Sequence, residues 1–170
     1  LDKDTSGIML VAKTREAARY YSMVIGGKKA EKKYLALCSG IIQPLKGKID
    51  KPLDIQGSEK ASLTYYTRLA SSEHVSLVEL ELGSGRMHQI RRHMALIGNP
   101  ILGDDKYGDF ALNKQLKKER GIKRLMLHAW KLAFPLAGSS KTITIMAPLP
   151  EYFTQFLEAE YGEGILSSLE

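Results

Sequence analysis

The sequence contains a single cysteine, Cys38, so no disulfide can form within the chain. A lone cysteine inside the apolar segment YLALCSG is typical of a small buried hydrophobe in a protein of a reducing compartment. No apolar run approaches the roughly 20 residues that a membrane-spanning helix needs, and the first residues carry no signal-peptide pattern. These absences predict a soluble cytoplasmic protein without a membrane partner.

The sequence also lacks the short motifs of common cofactor sites, since it has no phosphate-binding loop, dinucleotide fingerprint or serine elbow. His88 and His93 are five residues apart, too far round a helix to bind one metal ion together, whereas helical zinc sites use an i, i+4 spacing. His128 lies in the strand-like segment LMLHAW, where a core histidine bonded to the backbone is expected. We therefore expect neither a metal nor a cofactor.

Positive charge is what the sequence has in excess, and it is unevenly distributed. The 170 residues carry a formal net charge of +6, yet residues 131–170 hold two basic and five acidic residues, which leaves +9 on the preceding 130. Charge concentrated in this way favours a polyanion such as nucleic acid as partner, although many basic domains have no such partner.

The chain is long enough, and with 44% hydrophobic residues apolar enough, to form one domain around one core over residues 1–170. Its periodicity shows runs of strands with helices interspersed and few strand–helix–strand alternations. This pattern predicts an α+β fold with a mixed, largely antiparallel sheet flanked by helices. Helices are predicted in three places: 15–25 after the cap Thr14, 87–97 and after Pro150. The segment KYGDFALNKQLKKERG is predicted to be a solvated, lysine-rich helix or loop, with Asp109 as a candidate cap and Gly121 as a candidate end.

Several strands are predicted from apolar runs and from alternation. The run Ile8–Ala12 follows the turn LDKDTSG and predicts a short buried strand with Asp2 and Asp4 at its entrance. Acids in such a place are usually turn residues that bond to nearby backbone amides. RLMLHAWKLAF predicts a central strand, and GSSKTITIM its antiparallel partner. A further strand, paired in a hairpin with HVSLVELEL, is predicted from the alternation of Leu63, Tyr65, Thr67 and Leu69.

The segment GSGRMHQIRRHMALIG carries the clearest chemical signal. Its glycines lead into a predicted helix start, where free backbone amides and the helix dipole favour an anion. On this helix Ile90, Met94 and Ile97 are expected to face the core. Arg91 and Arg92 lie about 100° apart around the axis, so they cannot both face inward. A solvated basic face explains Arg92, whereas Arg91 borders the core and therefore needs a carboxylate or an anionic ligand.

The chain resembles the RNA pseudouridine synthases of the RluA type in four segments that share the family's order and spacing: LDKDTSGIMLVAK, KKYLAL, GSGRMHQIRRHMALIGNPILGDDKYG and RLMLHAWKLAF. The resemblance covers roughly residues 1–135 and is greatest to the branch that acts on large-subunit ribosomal RNA. It implies the pseudouridine synthase catalytic fold. Members of the family carry His-Arg before the residue equivalent to Leu1, preceded by a strand and often by an S4-type RNA-binding domain. We therefore expect a catalytic domain that is truncated at its N-terminal end and has no S4 domain.

The resemblance also implies roles for individual residues. Asp2 corresponds to the essential catalytic aspartate, and Asp4 keeps its interpretation as a turn residue. Tyr34 is expected against the uracil ring, Arg91 in an ion pair with the aspartate, and Leu127 at the wall of the base pocket. RNA contacts are expected from five further residues: Lys32, Lys33, Arg86, His88 and Arg92.

These roles suit the chemistry, because the isomerisation breaks the N1–C1′ bond of uridine, turns the uracil and joins C5 to C1′. An ionised carboxylate can attack C1′ or remove the proton at C2′, and a neighbouring arginine stabilises the charge of a carboxylate. The base must also leave the RNA helix, and a stacked aromatic ring replaces the base stacking that is lost. No electron is transferred, which is consistent with the expectation of no cofactor.

Two functions stay open on the sequence alone. One is an RNA-modifying isomerase centred on Asp2, and the other is a non-catalytic module that binds structured RNA through its basic face. The expected partner in both is RNA, ribosomal in the first place and transfer RNA in the second. A monomer is expected.

Overall fold

The strands of this chain assemble into one seven-stranded sheet and a separate two-stranded hairpin in a computed structural model, which describes residues 1–169. The strands are β1 Ser6–Gly7, β2 Glu31–Ser39, β3 Lys46–Asp50, β4 Leu53–Ile55, β5 Ser58–Lys60, β6 Leu63–Ser71, β7 Val75–Leu82, β8 Leu127–Pro135 and β9 Thr142–Met146. The large sheet has the order β1-β8-β2-β7-β6-β3, with β9 also paired to β8. Since β1 pairs with β8 in parallel and the other described pairs are antiparallel, the α+β prediction is confirmed.

The helices are α1 Arg15–Gly26, α2 Gln89–Leu96, α3 Phe110–Glu119, α4 Glu151–Tyr161 and α5 Gly164–Ser167. Two of them begin at the predicted cap residues. The hydroxyl of Thr14 accepts the backbone N–H of Ala17 at 3.1 Å, and a carboxylate oxygen of Asp109 accepts that of Leu112 at 3.0 Å. Within residues 1–169, every helix is too short or too polar to cross a membrane.

The main core packs β2, β7 and β8 against residues of α2, α3 and α4. Cys38 lies fully buried in this core, as predicted, and burial raises the pKa of its thiol. A smaller cluster places Val24 of α1 against Leu132 and Phe134 of β8. The first residue of β8, Leu127, pairs with Ala36 of β2, and Ile90 and Met94 of α2 belong to the same core.

The predicted strand at Ile8–Ala12 is wrong. The parallel pairing of β1 with β8 stops after two residues, at Gly7 opposite Ala129. Continuing in this register would place Ile8–Ala12 opposite Trp130–Phe134, and β9 already pairs with this edge of β8 from Lys131 onward. Residues 8–12 therefore leave the sheet, and Met9 and Val11 in this run have exposed fractions of 66% and 76%.

The hairpin of β6 and β7 is confirmed, but its buried face was predicted wrongly. Thr64 and Tyr66 face the core, whereas Tyr65 and Leu69 are exposed. A threonine can occupy the inward position because its hydroxyl contacts Nδ1 of His93 at 2.9 Å and accepts a hydrogen bond from the Gln89 amide at 3.0 Å. The apolar alternation of the sequence gave no sign of these partners.

Helix α2 differs from its prediction at both ends. It begins at Gln89, two residues later than expected, because His88 adopts the left-handed conformation with φ of 53°. Ile90 and Met94 are buried as predicted. Ile97 is not, since it lies beyond the last helical residue, Leu96, and its exposed fraction is 38%.

Candidate active site

A pocket of about 70 Å³ opens between the N-terminal turn, β2, α2 and the start of β8. Six of the nine residues singled out in the sequence line it: Asp2, Tyr34, Arg86, His88, Arg91 and Leu127. Its apolar walls also include Leu82 and Ile90. The lining residues lie between positions 1 and 127 of the sequence, so they come together only in the folded sheet.

The N-terminal turn holds Asp2 at the mouth of this pocket. The turn closes through the backbone N–H of Thr5, which donates to the carbonyl of Asp2 at 3.1 Å. Ser6 and Gly7 then pair with His128 and Ala129 of β8, so Asp2 comes to lie beside Leu127. His128 is buried, as predicted for a core histidine, with its Nδ1 2.9 Å from the Ser6 hydroxyl and its Nε2 3.3 Å from the carbonyl oxygen of Ala147.

Tyr34 lies on β2 between its two neighbouring strands, opposite Leu80 of β7 and Ala129 of β8. Burial raises the pKa of its phenol, and the nearby carboxylate of Asp2 raises it further. The phenol therefore stays protonated near neutral pH, and the aromatic ring forms a fixed wall beside Asp2.

Arg91 contacts three carboxylates unequally. Its Nε and Nη2 donate to Asp104 at 2.8 and 2.7 Å, and Nη2 also lies 3.1 Å from Asp105. Nη1 lies 3.6 Å from Oδ2 of Asp2, which is within ion-pair range but longer than a hydrogen bond. The hydrogen bonds to Asp104 raise the pKa of the guanidinium against the effect of burial. Arg91 is thus fixed by Asp104 and presents its remaining edge to Asp2.

Asp104 binds Arg91 at the candidate site and was missed by the sequence reasoning. Burial opposes ionisation of its carboxyl, but hydrogen bonds from Arg91 and from the backbone N–H groups of Tyr107 and Lys106 outweigh burial and hold its pKa below the usual value. Asn113 of α3 fixes the same loop by donating to the Asp104 carbonyl at 2.8 Å. The signal that could have revealed this residue is the aspartate pair in GDDKYG.

Gln89 is a second residue that was missed. Its side-chain oxygen accepts from the Ser84 hydroxyl at 2.8 Å and from the backbone N–H of Arg86 at 3.0 Å. Its nitrogen donates to the Leu63 carbonyl at 2.9 Å and to the Thr64 hydroxyl. This one buried amide ties residues 84–86, at the rim of the pocket, to β6.

The other three predicted RNA contacts lie outside the small pocket. Nζ of Lys32 donates to the Ile25 carbonyl at 2.8 Å, and burial lowers the pKa of this lysine. A hydrogen bond to Glu79 at 2.9 Å raises the pKa of Lys33. Arg92 donates to the carbonyl of Asp54 at 2.8 Å. Both lysines line a wider groove of about 850 Å³ that also contains Asp2, Tyr34 and Arg86.

The described residues include no group of three or more histidine, cysteine, aspartate or glutamate side chains placed to hold a metal ion. The polar groups of the pocket are instead a carboxylate, a guanidinium, an imidazole and a phenol around apolar walls. Such a set suits a flat, polar, uncharged ring with a reactive atom near the carboxylate.

Comparison with known proteins identifies a family of RNA-modifying enzymes. Residues 1–96 match the family described as RNA pseudouridylate synthase. The tRNA pseudouridine synthase C of Haemophilus ducreyi is 39% identical over 95% of this chain and 75% of its own length. The ribosomal large subunit pseudouridine synthase C of Vibrio cholerae is 36% identical over 92% of this chain.

The chain spans about three quarters of the length of that tRNA relative and, with 52% coverage, about half of the ribosomal one. Among solved structures, the human RNA pseudouridylate synthase domain containing 4 superposes with a TM-score of 0.79 at 26% identity. That superposition covers 93% of this chain and 72% of the human one. The likeness therefore extends well beyond the residues that match the family profile.

Proposed function

Since this chain belongs to the RNA pseudouridine synthases of the RluA type, we propose that it isomerises specific uridines of structured RNA with Asp2 as the reactive carboxylate. The observation that carries this proposal is the single pocket in which Asp2 faces Arg91, Tyr34 and Leu127. The residues match the roles that the chemistry requires, and they come from four separate parts of the sequence.

The reaction conserves the atoms of the nucleotide. The N1–C1′ bond breaks, the uracil turns, and C5 joins C1′, after which C5 loses its proton and N1 carries one. The Asp2 carboxylate serves either by attacking C1′ or by removing the proton at C2′. Both routes need a negative carboxylate, and the Arg91 guanidinium, 3.6 Å away, stabilises that charge by attraction.

The walls of the pocket suit a base that has left the RNA helix. We assign the ring of Tyr34 to stacking on the uracil, which is worth about 1–3 kcal/mol per base for aromatic platforms. Leu127, Leu82 and Ile90 supply further apolar walls of the pocket. Extrusion of the base costs a few kcal/mol, and this stacking offsets part of the cost.

The RNA strand is assigned to the wider groove that continues from the pocket. Arg86 lies in both, and Lys32, Lys33 and Lys131 line the groove. Arg92 is assigned to a phosphate beyond it. Relatives named for ribosomal and for transfer RNA are similarly distant in sequence. We propose large-subunit ribosomal RNA as the first substrate to test and transfer RNA as the second.

We further propose that the enzyme acts as a monomer in the cytoplasm. The buried Cys38 fits a reducing compartment. Light scattering coupled to gel filtration, with and without RNA, measures the molar mass and so tests whether the protein is a monomer.

The test of function uses RNA labelled with tritium at C5 of uridine, because forming the C5–C1′ bond releases that hydrogen to water. We expect release from ribosomal or transfer RNA by the parent protein and none by Asp2→Asn. Asp4→Asn is the matched control, since it lies two residues further along the same turn and should release tritium as the parent does. A parent that binds both RNAs but releases no tritium would establish the non-catalytic RNA-binding module instead.

A further inference from the structure

We propose that His88 and Tyr107 form a positioning pair for Asp2, in which Tyr107 holds the imidazole of His88 and His88 holds one oxygen of the carboxylate. The proposal rests on the proposed role of Asp2 as the reactive carboxylate. It gives His88, which the sequence assigned to RNA contact, a different task.

The two oxygens of Asp2 each face one nitrogen. Nε2 of His88 lies 3.8 Å from Oδ1, and Nη1 of Arg91 lies 3.6 Å from Oδ2. Both distances exceed a hydrogen bond, and catalytic contacts of this kind often tighten only when substrate binds. The side chains of His88 and Asp2 are 20% and 23% exposed, so water competes only partly with the contact.

The contact with Asp2 selects one tautomer of His88, and the contact with Tyr107 is compatible with that tautomer. The Tyr107 hydroxyl lies 3.0 Å from Nδ1 of His88. An ionised carboxylate only accepts hydrogen bonds, so a favourable contact with Asp2 requires the proton on Nε2. Nδ1 of the neutral ring is then an acceptor, and the Tyr107 hydroxyl donates to it.

The backbone at His88 supports a functional reading. His88 is a non-glycine residue with a φ of 53°, and its side chain makes no capping bond to helix α2. Such conformations are uncommon and cost free energy, so they persist where the surrounding structure enforces them. Here the conformation directs the imidazole into the pocket instead of along the helix.

Tyr107 supports both groups that face the carboxylate. Its ring centroid lies 5.3 Å from Cζ of Arg91, while its hydroxyl contacts His88. Its backbone N–H donates to Asp104, the residue that fixes Arg91. Asp104, Arg91, Tyr107 and His88 therefore form one connected set of contacts around Asp2. Two fixed nitrogens on two oxygens determine the plane of a carboxylate, and a misplacement of ~1 Å can cost ~100-fold in rate.

The test compares single-turnover rates at saturating RNA with the dissociation constants for the same RNA. We expect His88→Asn to lower the rate about 10-fold or more with little change in affinity, because asparagine tolerates the left-handed backbone but is too short to reach Asp2. His88→Gln should recover part of the rate, since its amide nitrogen can approach the place of Nε2. Tyr107→Phe should lower the rate, and the double variant should lose little more than His88→Asn alone.

The matched control is His74→Asn, at a histidine whose side chain is 80% exposed and which should leave the rate unchanged. A His88→Asn variant with the parent rate, or one that loses RNA affinity instead of rate, would overturn the proposal and return His88 to RNA binding.

A parent protein that turns over no RNA contradicts the proposed function, and a second measurement then tests the contact between His88 and Asp2. Nitrogen NMR of the histidine rings should show the proton of His88 on Nε2, and its signals should move in Asp2→Asn while those of His74 do not. Signals of His88 that ignore Asp2→Asn would also overturn the proposal.

Discussion

Three carboxylates compete for Arg91, and their burial separates their roles. Asp104 is completely buried in its side chain and accepts two short bonds, whereas the side chain of Asp105 is 81% exposed. Asp2 lies between them in exposure and is the one carboxylate of the three that lines the pocket. The structural bond and the functional contact are thus made by different edges of one guanidinium.

Substitution of the two neighbouring aspartates should separate these effects. We expect Asp104→Asn to lower the free energy of unfolding by about 3–5 kcal/mol, because it leaves the charge of Arg91 buried without its partner. Asp105→Asn should change it by no more than about 1 kcal/mol, as is typical of surface pairs. Urea unfolding of both variants is the measurement, and equal losses would mean that the two carboxylates share the arginine.

Substitution of the two neighbouring arginines should affect different steps: turnover for Arg91 and RNA binding for Arg92. Arg91→Lys keeps a charge but loses the planar fork, so turnover should fall strongly while RNA affinity and its salt dependence change little. Arg92→Ala should weaken RNA binding and reduce the salt slope by about one phosphate contact, with a near-normal rate at saturating RNA. Titrations at several salt concentrations measure both, and a reduced slope for Arg91→Lys would place that residue on a phosphate.

Among the elements, those whose signals are local in sequence were predicted correctly, whereas the strand that needed a free sheet edge was not. Helix α1 follows from its periodicity and the cap Thr14, and strand β8 follows from the apolar pattern of RLMLHAWKLAF; each of these signals lies within its own segment. The run Ile8–Ala12 has the same apolar character as a strand, yet β9 takes the edge of β8 that it needed. Its outcome depends on residues more than a hundred positions away, which no local pattern contains.

The residues of the candidate site also fall into those that the sequence identified and those that it did not. Asp2, Tyr34, Arg91 and Leu127 could be identified from the motifs of the sequence. Gln89 and Tyr107 were missed because their roles lie in contacts with Thr64 and His88, and Asp104 had the aspartate pair in GDDKYG as its one local signal. A polar side chain whose partner is distant looks like any solvated residue in the sequence.

Strand β1 is short enough for one residue to decide its existence. Gly7 has a φ of +108°, and an added Cβ would lie 2.1 Å from the backbone oxygen of Ala129. We expect Gly7→Ala to break the pairing with β8, to lower stability by more than ~1 kcal/mol and to abolish activity. Gly57→Ala is the control, since Gly57 has a φ of +81° but open space around it. Urea unfolding and tritium release measure both, and equal losses would exclude the contact with β8 as the cause.

For the whole molecule, the buried histidines determine how stability depends on pH. Burial lowers the pKa of His93 and of His128, and the backbone hydrogen bonds to Lys51 and Ala147 oppose these shifts. The charge of Arg92 lowers the pKa of His93 further, and that of Asp50 raises it. The unfolded chain therefore takes up protons below about pH 6.5, where the folded chain does not. The carboxyl of Asp104, with its lowered pKa, contributes stability above about pH 4 and loses it as the pH falls through the folded value.

We therefore expect the free energy of unfolding to decrease as the pH falls from about 6.5, and to decrease further below about 4. Urea midpoints between about pH 7.5 and 3 measure both decreases. His93→Gln should flatten the first decrease, whereas His74→Gln, at an exposed position, should not. A stability that is constant between pH 7.5 and 5 would contradict the assignment of two neutral buried histidines.

The bond between Ser6 and His128 joins residues 122 positions apart. Closing so long a loop is entropically costly, so contacts of this kind form late in folding. The ribosome makes Asp2 more than a hundred residues before β8, so in the meantime the N-terminal turn has no β8 to pair with. The candidate pocket can therefore assemble only after β8 has been synthesised, whereas 23 of the 25 lysine and arginine residues of this sequence precede β8 in the chain.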